Sequence, residues 1–231
     1  EIITNKPSKY KVKFIDMDSL KVVHEDIISN NMWARTNRKY FTNWKIEIWE
    51  NGSKIFDYVL NLSGKHVYIH IDSRAVGDTL GWFPYVDEFR KKHNCKVTVS
   101  TFHNSWFKDV YPELTFVEPG RVVNQIHAMY GINWDCKENG EPDMDKNPVD
   151  VKNIPLQQTA SNILGLEYKE IRPKLDFIIN PTDKKYVCIA PHASAHAKYW
   201  NYPNSWQAII DYLVSKGYEV VFISQEKLGD G

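Results

Sequence analysis

Cysteine is scarce in this sequence. Cys95, Cys136 and Cys188 stand alone in 231 residues, without a C-x-x-C pair. Such an odd, sparse set excludes a disulfide scaffold and a cysteine-ligated zinc site, and it reads as the reduced thiols of a cytoplasmic protein. Long apolar runs are missing as well: stretches such as VVFIS at 220–224 fall far short of the ~18–20 residues that span a bilayer. Glu1 opens directly into polar sequence, so neither a secretion signal nor a transmembrane segment is read. Net charge is absent, 29 Lys+Arg against 29 Asp+Glu, which removes a global basic field as the basis for binding nucleic acid or membrane. No glycine-rich fingerprint is present either. The loop at 73–81 holds only Gly77 and Gly81, so G-x-G-x-x-G and the P-loop both fail, and a Rossmann dehydrogenase is disfavoured.

What the chain does have is aromatic side chains, 13% of its residues, in an otherwise globular composition. Residues 1–63 read as a small antiparallel β unit. KYKVKFIDM, KVVHEDII and KIEIWENGSKIFDYVLNL are strands, the last segment folding back on itself across Asn51-Gly52, a strong hairpin signal. At Gly64 the pattern changes. HVYIHID, KVTVSTF and LTFVEPG are strands separated by the helical segments TLGWFPYVDEFRKKH and NSWFKDVYP, an alternation that predicts a parallel α/β lobe over residues 64–180. The first of those strands reads as buried on both faces. The stretch 135–150, with acids at 135, 138, 141, 143, 145 and 150 against Lys137 and Lys146, is a solvated loop, and PLQQTASNILGL is a helix beginning at Pro155. Residues 181–231 then start a second α/β unit: strand YVCIAPH, helix PNSWQAIIDYLVSKG ending on a C-cap glycine, strand YEVVFIS. This suffices for one βαβ unit but not for a parallel sheet covered on both faces, so the second lobe reads as incomplete in this chain.

Candidate chemistry gathers in the loops that follow strands, where open α/β sheets bind ligands. Asp78, beside Gly77, opens the helix after the first parallel strand. It reads two ways: as an N-terminal carboxylate capping free amides, or as a general base, since a helix N-terminus favours the ionised form that accepts a hydroxyl proton. The second unit repeats the arrangement. In Pro191-His192-Ala193-Ser194-Ala195-His196-Ala197-Lys198, Ser194 is a donor to a phosphate and Lys198 a counter-charge for a departing pyrophosphate. Glu226, past the next strand, is placed to meet a sugar hydroxyl. Lys198 and Glu226 have an ordinary reading as solvated side chains. His192 and His196 lie in a loop without a nearby acid and are not read as metal ligands. Asp16-Met17-Asp18 and Asp143-Met144-Asp145 have the D-x-D spacing that holds a divalent ion in some transferases, but their settings favour turn and surface roles.

The segment GDTLGWFPYVDEFRKKH (77–93), the connector EIRPKL and APHASAHAKYWNYPNSWQAIIDYL (190–213) followed by YEVVFIS resemble glycosyltransferase family 9, the ADP-heptose heptosyltransferases, and within it the autotransporter O-heptosyltransferase branch. The resemblance spans roughly 64–226 and rests on two separate motifs in order. It implies a GT-B-like fold, with a Rossmann-like acceptor-side lobe and a donor-binding lobe starting at 181. It also implies inverting transfer from ADP-heptose or a related nucleotide-sugar to a protein Ser/Thr or a glycan, with no cofactor and no catalytic metal. By resemblance, Asp78 is the base, and Gly77, Ser194, Lys198 and Glu226 are donor-binding residues. The family's later glycine-rich donor motif and the branch's iron-binding cysteine cluster do not occur in 1–231, which predicts weak donor binding and little activity for this stretch alone. A homo-oligomer is compatible with the sequence. Two other readings remain open: a non-catalytic carbohydrate- or protein-binding module descended from such an enzyme, and a metal-dependent GT-A transferase using a D-x-D pair.

Overall fold

Asn51 and Gly52 both adopt left-handed backbone, φ 48° and 82°, as a two-residue type I′ turn demands. The turn joins β3 (Trp44–Glu50) to β4 (Ser53–Val59) with Glu50 opposite Ser53. β1 (Lys9–Asp16) runs antiparallel to β3 and to β2 (Lys21–Ser29), giving the strand order β2-β1-β3-β4. Tyr10, Val12 and Ile28 are buried on this sheet, with Phe14, Ile46 and Ile48 packed against them. The alternation along β1 puts one face into this small core and leaves the other to charged side chains. The computed structural model describes residues 1–175, 183–193 and 195–224. Two compact units make up the chain, Glu1–Phe177 and Ile178–Gly231.

The first unit also holds the parallel sheet. β5 (His66–Ile71) lies between β6 (Lys96–Ser100) and β8 (Ala128–Ile132), with β7 (Thr115–Phe116) outside β6, all parallel. Between β5 and β6 run α1 (Val76–Trp82) and α2 (Pro84–His93). Phe83 keeps helical backbone between them, and Pro84 takes the first position of α2, where its missing N–H costs nothing. Trp82, Phe83, Val86 and Phe89 are fully buried against Val67, Ile69, Val97 and Val99. Phe83 stacks on Phe107 with ring centroids 3.7 Å apart. α3 (Leu156–Ile163) closes this core from the far side of α1. Trp82 Nε1 donates to the Leu156 carbonyl at 2.8 Å, and the Tyr85 hydroxyl to the Lys169 carbonyl at 2.6 Å.

The structure departs from the sequence reading in places that have physical reasons. Residues 104–112 form a single 3₁₀ turn, Asn104–Trp106, and not a helix. The Asn104 amide is committed to the Thr101 N–H and the Val117 carbonyl, and Pro112 restrains the chain before it. β8 was not expected, because Gly131 interrupts its apolar pattern. β5 is not buried on both faces: Val67, Ile69 and Ile71 are, while His66, Tyr68 and His70 are only half-buried. In the second unit, β9 (Tyr186–Ile189) and β10 (Glu219–Phe222) pair in parallel around α4 (Ser205–Ser215). Gly217, at φ 81°, ends α4 as expected. Its N–H reaches the Val214 carbonyl while the Tyr218 N–H reaches that of Leu213, the paired bonds of a Schellman cap.

Candidate active site

Parallel β5 delivers its chain end at the carboxyl edge of the sheet, and residues 72–75 carry it into α1. Asp78 lies in the first turn of that helix, as expected for a carboxylate that suits the positive end of the macrodipole, but it is not the cap: α1 begins at Val76, and its N-cap, Ala75, makes no side-chain capping bond. The Asp78 carboxylate is held by a hydroxyl: Ser73 Oγ donates to Asp78 Oδ2 at 2.6 Å, and Ser73 Oγ itself accepts from the Ala75 N–H at 3.1 Å. A short bond of this kind to a carboxylate is among the stronger neutral-to-charged hydrogen bonds. The capping role read for Asp78 from sequence is therefore replaced by a Ser73–Asp78 pair. Among the described residues Asp78 Oδ1 has no partner, so one carboxylate oxygen is oriented by the loop and left for another group.

Gly77 sits exposed beside it. A Cβ added there would meet nothing within 4 Å, and its φ is not left-handed. Neither packing nor backbone conformation asks for a glycine here, so a side chain at this position would meet open space. The loop after β6 braces the same edge. His103 Nε2 lies 3.1 Å from the Arg74 carbonyl, His103 stacks on Trp106 at 3.9 Å, and the Arg74 guanidinium lies over the Phe102 ring at 4.3 Å. Ser73, Arg74 and His103 escaped the sequence reading. Only Ser73 had a usable signal, a hydroxyl just ahead of a G-D pair.

In the second unit Lys198 is exposed and ends the 3₁₀ turn His196–Lys198, with its N–H donating to the Ala195 carbonyl at 2.9 Å. His192 Nδ1 meets Ser224 Oγ at 3.3 Å. Ser194 and Glu226 lie outside the described residues. The D-x-D strings lie at a strand end and in loops: Asp16 ends β1 and not a turn, its Oδ1 accepting the Asp18 N–H of the turn that follows and its Oδ2 pairing with Arg38, while Asp143 accepts the Asp145 N–H and faces Lys146. Burial works to raise the Asp16 carboxyl, but its hydrogen bonds outweigh that and hold it below the usual range.

No protein-family model matches the chain. Its fold is that of a bacterial glycosyltransferase: the crystal structure of the iron-containing dodecameric glycosyltransferase TibC from enterotoxigenic E. coli H10407 superimposes with a TM-score of 0.86 at 28% identity, over 98% of this chain and 60% of that one. TibC has also been crystallised in complex with ADP-D-β-D-heptose. The chain is a relative of the autotransporter heptosyltransferases, as the motifs indicated. It is 30% identical over 226 residues to BAHTCr of Citrobacter rodentium, covering 94% of this chain and 54% of that protein. It is 27% identical over 193 residues to BimC of Burkholderia thailandensis, described as an inactive autotransporter heptosyltransferase. The chain thus spans about half the length of the curated relatives it matches.

TibC is iron-containing, so the expectation of no metal group does not carry over from that relative. The cysteines here do not fit such a group. Cys95 is buried, Cys136 and Cys188 are exposed, and all are free thiols. Among the described residues no three His, Cys, Asp or Glu side chains converge. Burial lifts the Cys95 thiol to about 11, away from the thiolate form that binds metal. Among the described residues no helix is long and apolar enough to cross a membrane.

Proposed function

We propose that the chain is the acceptor-side part, with the start of the donor-side part, of an inverting heptosyltransferase. It moves heptose from ADP-heptose to a hydroxyl of a protein Ser/Thr or a glycan. The observation that carries this reading is the Ser73-held Asp78 carboxylate at the carboxyl end of β5, in a chain whose relatives are heptosyltransferases. Asp78 takes the proton from the acceptor hydroxyl as its oxygen bonds to the anomeric carbon. The bond from that carbon to the diphosphate breaks with inversion, and ADP leaves. Ser73 fixes which carboxylate oxygen faces the acceptor, and the bare Gly77 backbone admits substrate. Lys198, with Ser194 and Glu226, contacts the donor, Lys198 offsetting the charge that develops on the leaving diphosphate.

A cytoplasmic location goes with this reading, in keeping with free cysteines and checked by fractionation. Self-association also goes with it, checked by sedimentation. A non-catalytic reading has one observation in its favour, the inactive relative BimC. The experiment that separates the two is transfer and hydrolysis of ADP-heptose by the whole gene product beside Asp78→Asn and Lys198→Ala. A general base contributes roughly 10²–10⁴-fold, so Asp78→Asn should lose at least about a hundredfold in kcat with donor affinity kept. Lys198→Ala should weaken donor binding. Equal turnover by wild type and Asp78→Asn would reject the assigned base, and turnover by neither would favour the binding module.

A further inference from the structure

Gly131 stands in the interior of β8, opposite His70 of β5. A Cβ at this position would come within 2.6 Å of the imidazole. Glycine weakens a strand and marks places where a neighbouring group comes unusually close; here the neighbour is the His70 ring, resting over a bare Cα. Tyr68 stacks beside that ring, with centroids 5.7 Å apart, and His70 Nδ1 lies 2.9 Å from Asp72 Oδ1. The His70 side chain is 25% exposed. With Nδ1 turned to the carboxylate, Nε2 is the ring nitrogen left to bond another group, as an acceptor in the tautomer that carries its proton on Nδ1. Among the described residues nothing bonds Nε2. The packing of the sheet therefore gives this seat no use of its own, although the glycine costs strand stability.

His70, Asp72 and Gly131 line a groove of about 300 Å³ at the carboxyl edge of β5 and β8, together with Met129, Lys39 and Lys146. Its size suits a few residues or a small molecule. Its lining mixes an imidazole nitrogen, the Asp72 and Asp135 carboxylates, the Asn133 amide, two ammonium groups of which Lys146 pairs with Asp135 at 3.3 Å, and a thioether, which suits a polypeptide with amide and hydroxyl donors. The Asp72 carboxylate sets it against a diphosphate. Asp72 also directly precedes Ser73, whose hydroxyl holds Asp78, so the groove and the base share one loop.

We propose that this groove binds the acceptor polypeptide beside the hydroxyl that receives the sugar, with His70 Nε2 accepting a hydrogen bond from it. The proposal rests on the transferase reading above. The test titrates a fluorescein-labelled Ser/Thr-rich dodecapeptide into the whole gene product by anisotropy, with ADP-heptose present, for wild type, His70→Ala and Gly131→Ala. The clashing atoms at Gly131 are the far end of a rotatable side chain, so Gly131→Ala displaces the ring without unfolding the sheet. Saturable binding by wild type, weakened roughly tenfold or more in both variants as expected for one lost hydrogen bond, with unchanged ADP-heptose affinity and thermal midpoint, is the expected result. Equal peptide affinity in all three proteins, or no saturable binding by wild type, overturns the proposal. Absence of ADP-heptose turnover by wild type and Asp78→Asn alike would instead sink the transferase reading and leave the peptide titration standing, so the two failures are distinguishable.

Discussion

The proposed base role of Asp78 requires its second carboxylate oxygen to face the acceptor, and the Ser73 hydroxyl is the group that holds the carboxylate. Replacing Ser73 by Ala removes one hydrogen bond to a charged group, so kcat should fall roughly tenfold, with donor and acceptor affinities nearly unchanged. A matching rise in either KM would show that Ser73 binds substrate directly. Gly77 offers the opposite contrast. A methyl there meets no atom of the chain and improves helix propensity by about 0.5–1 kcal/mol. Gly77→Ala should therefore hold or raise the urea midpoint while lowering turnover; retained turnover would mean that no substrate approaches this backbone. His93 carries a different signature. Burial lowers its imidazole from 6.5 to about 4, assisted by Lys92, and its ring lies against Phe41 and Phe89. Its folded value lies below its unfolded one, so as pH falls through 6.5 the unfolded chain takes up the proton first. Its contribution to stability is complete above about pH 6.5 and declines towards pH 4. Denaturation midpoints of wild type and His93→Phe compared between pH 7.5 and 5 should converge at neutral pH or favour wild type, with the variant losing less on acidification. Parallel curves would show that His93 titrates normally.

Within the first unit, the segment leading into β3 is pinned to α2 and α3 by one ring. Phe41 packs edge-on to Phe89 and tilted on Tyr130, and its N–H donates to the Ile163 carbonyl at 2.7 Å. Gly165 makes the pin possible: its φ is +61°, and a Cβ there would overlap the Phe41 ring. The left-handed backbone alone costs a non-glycine residue about 1–2 kcal/mol, so Gly165→Ala should destabilise by more than that, read as a lower urea midpoint at constant slope. An unchanged midpoint would mean the ring relocates freely. These elements also show what the sequence made legible. Asn51-Gly52 announced its hairpin and Gly217 its helix end, because local backbone chemistry decides both. β8 was illegible because Gly131 answers to His70, a residue on another strand. The start of α1 was misplaced because Ala75 carries no capping side chain. The hold on Asp78 was missed because Ser73 reaches it only once the loop has closed. Ser194, Lys198 and Glu226 were all legible as polar side chains in loops after strands, and the resemblance named the same three.

The two units differ most in how they treat apolar surface. In the first, one cluster runs from Leu62 through Leu164 and joins the buried residues of α1, α2 and α3 to the parallel sheet. In the second, Ile189 is the single buried hydrophobic residue among those described, and Tyr186, Tyr212, Val214, Phe222 and Ile223 are exposed. A two-stranded sheet with one helix gains too little burial to offset its chain entropy, about 1–2 kcal/mol for each ordered backbone residue. Residues 1–175 produced alone should therefore unfold in one cooperative transition and resist limited proteolysis. Residues 178–231 produced alone should give a coil-like far-ultraviolet spectrum and be cleaved throughout. Donor binding should follow the same division, with the first piece failing to bind ADP-heptose because Lys198 is not part of it. Tight ADP-heptose binding by residues 1–175, measured by titration calorimetry, would move the donor contacts away from the loop after β9. A cooperative thermal transition in residues 178–231 would show that their exposed side chains do not limit their stability.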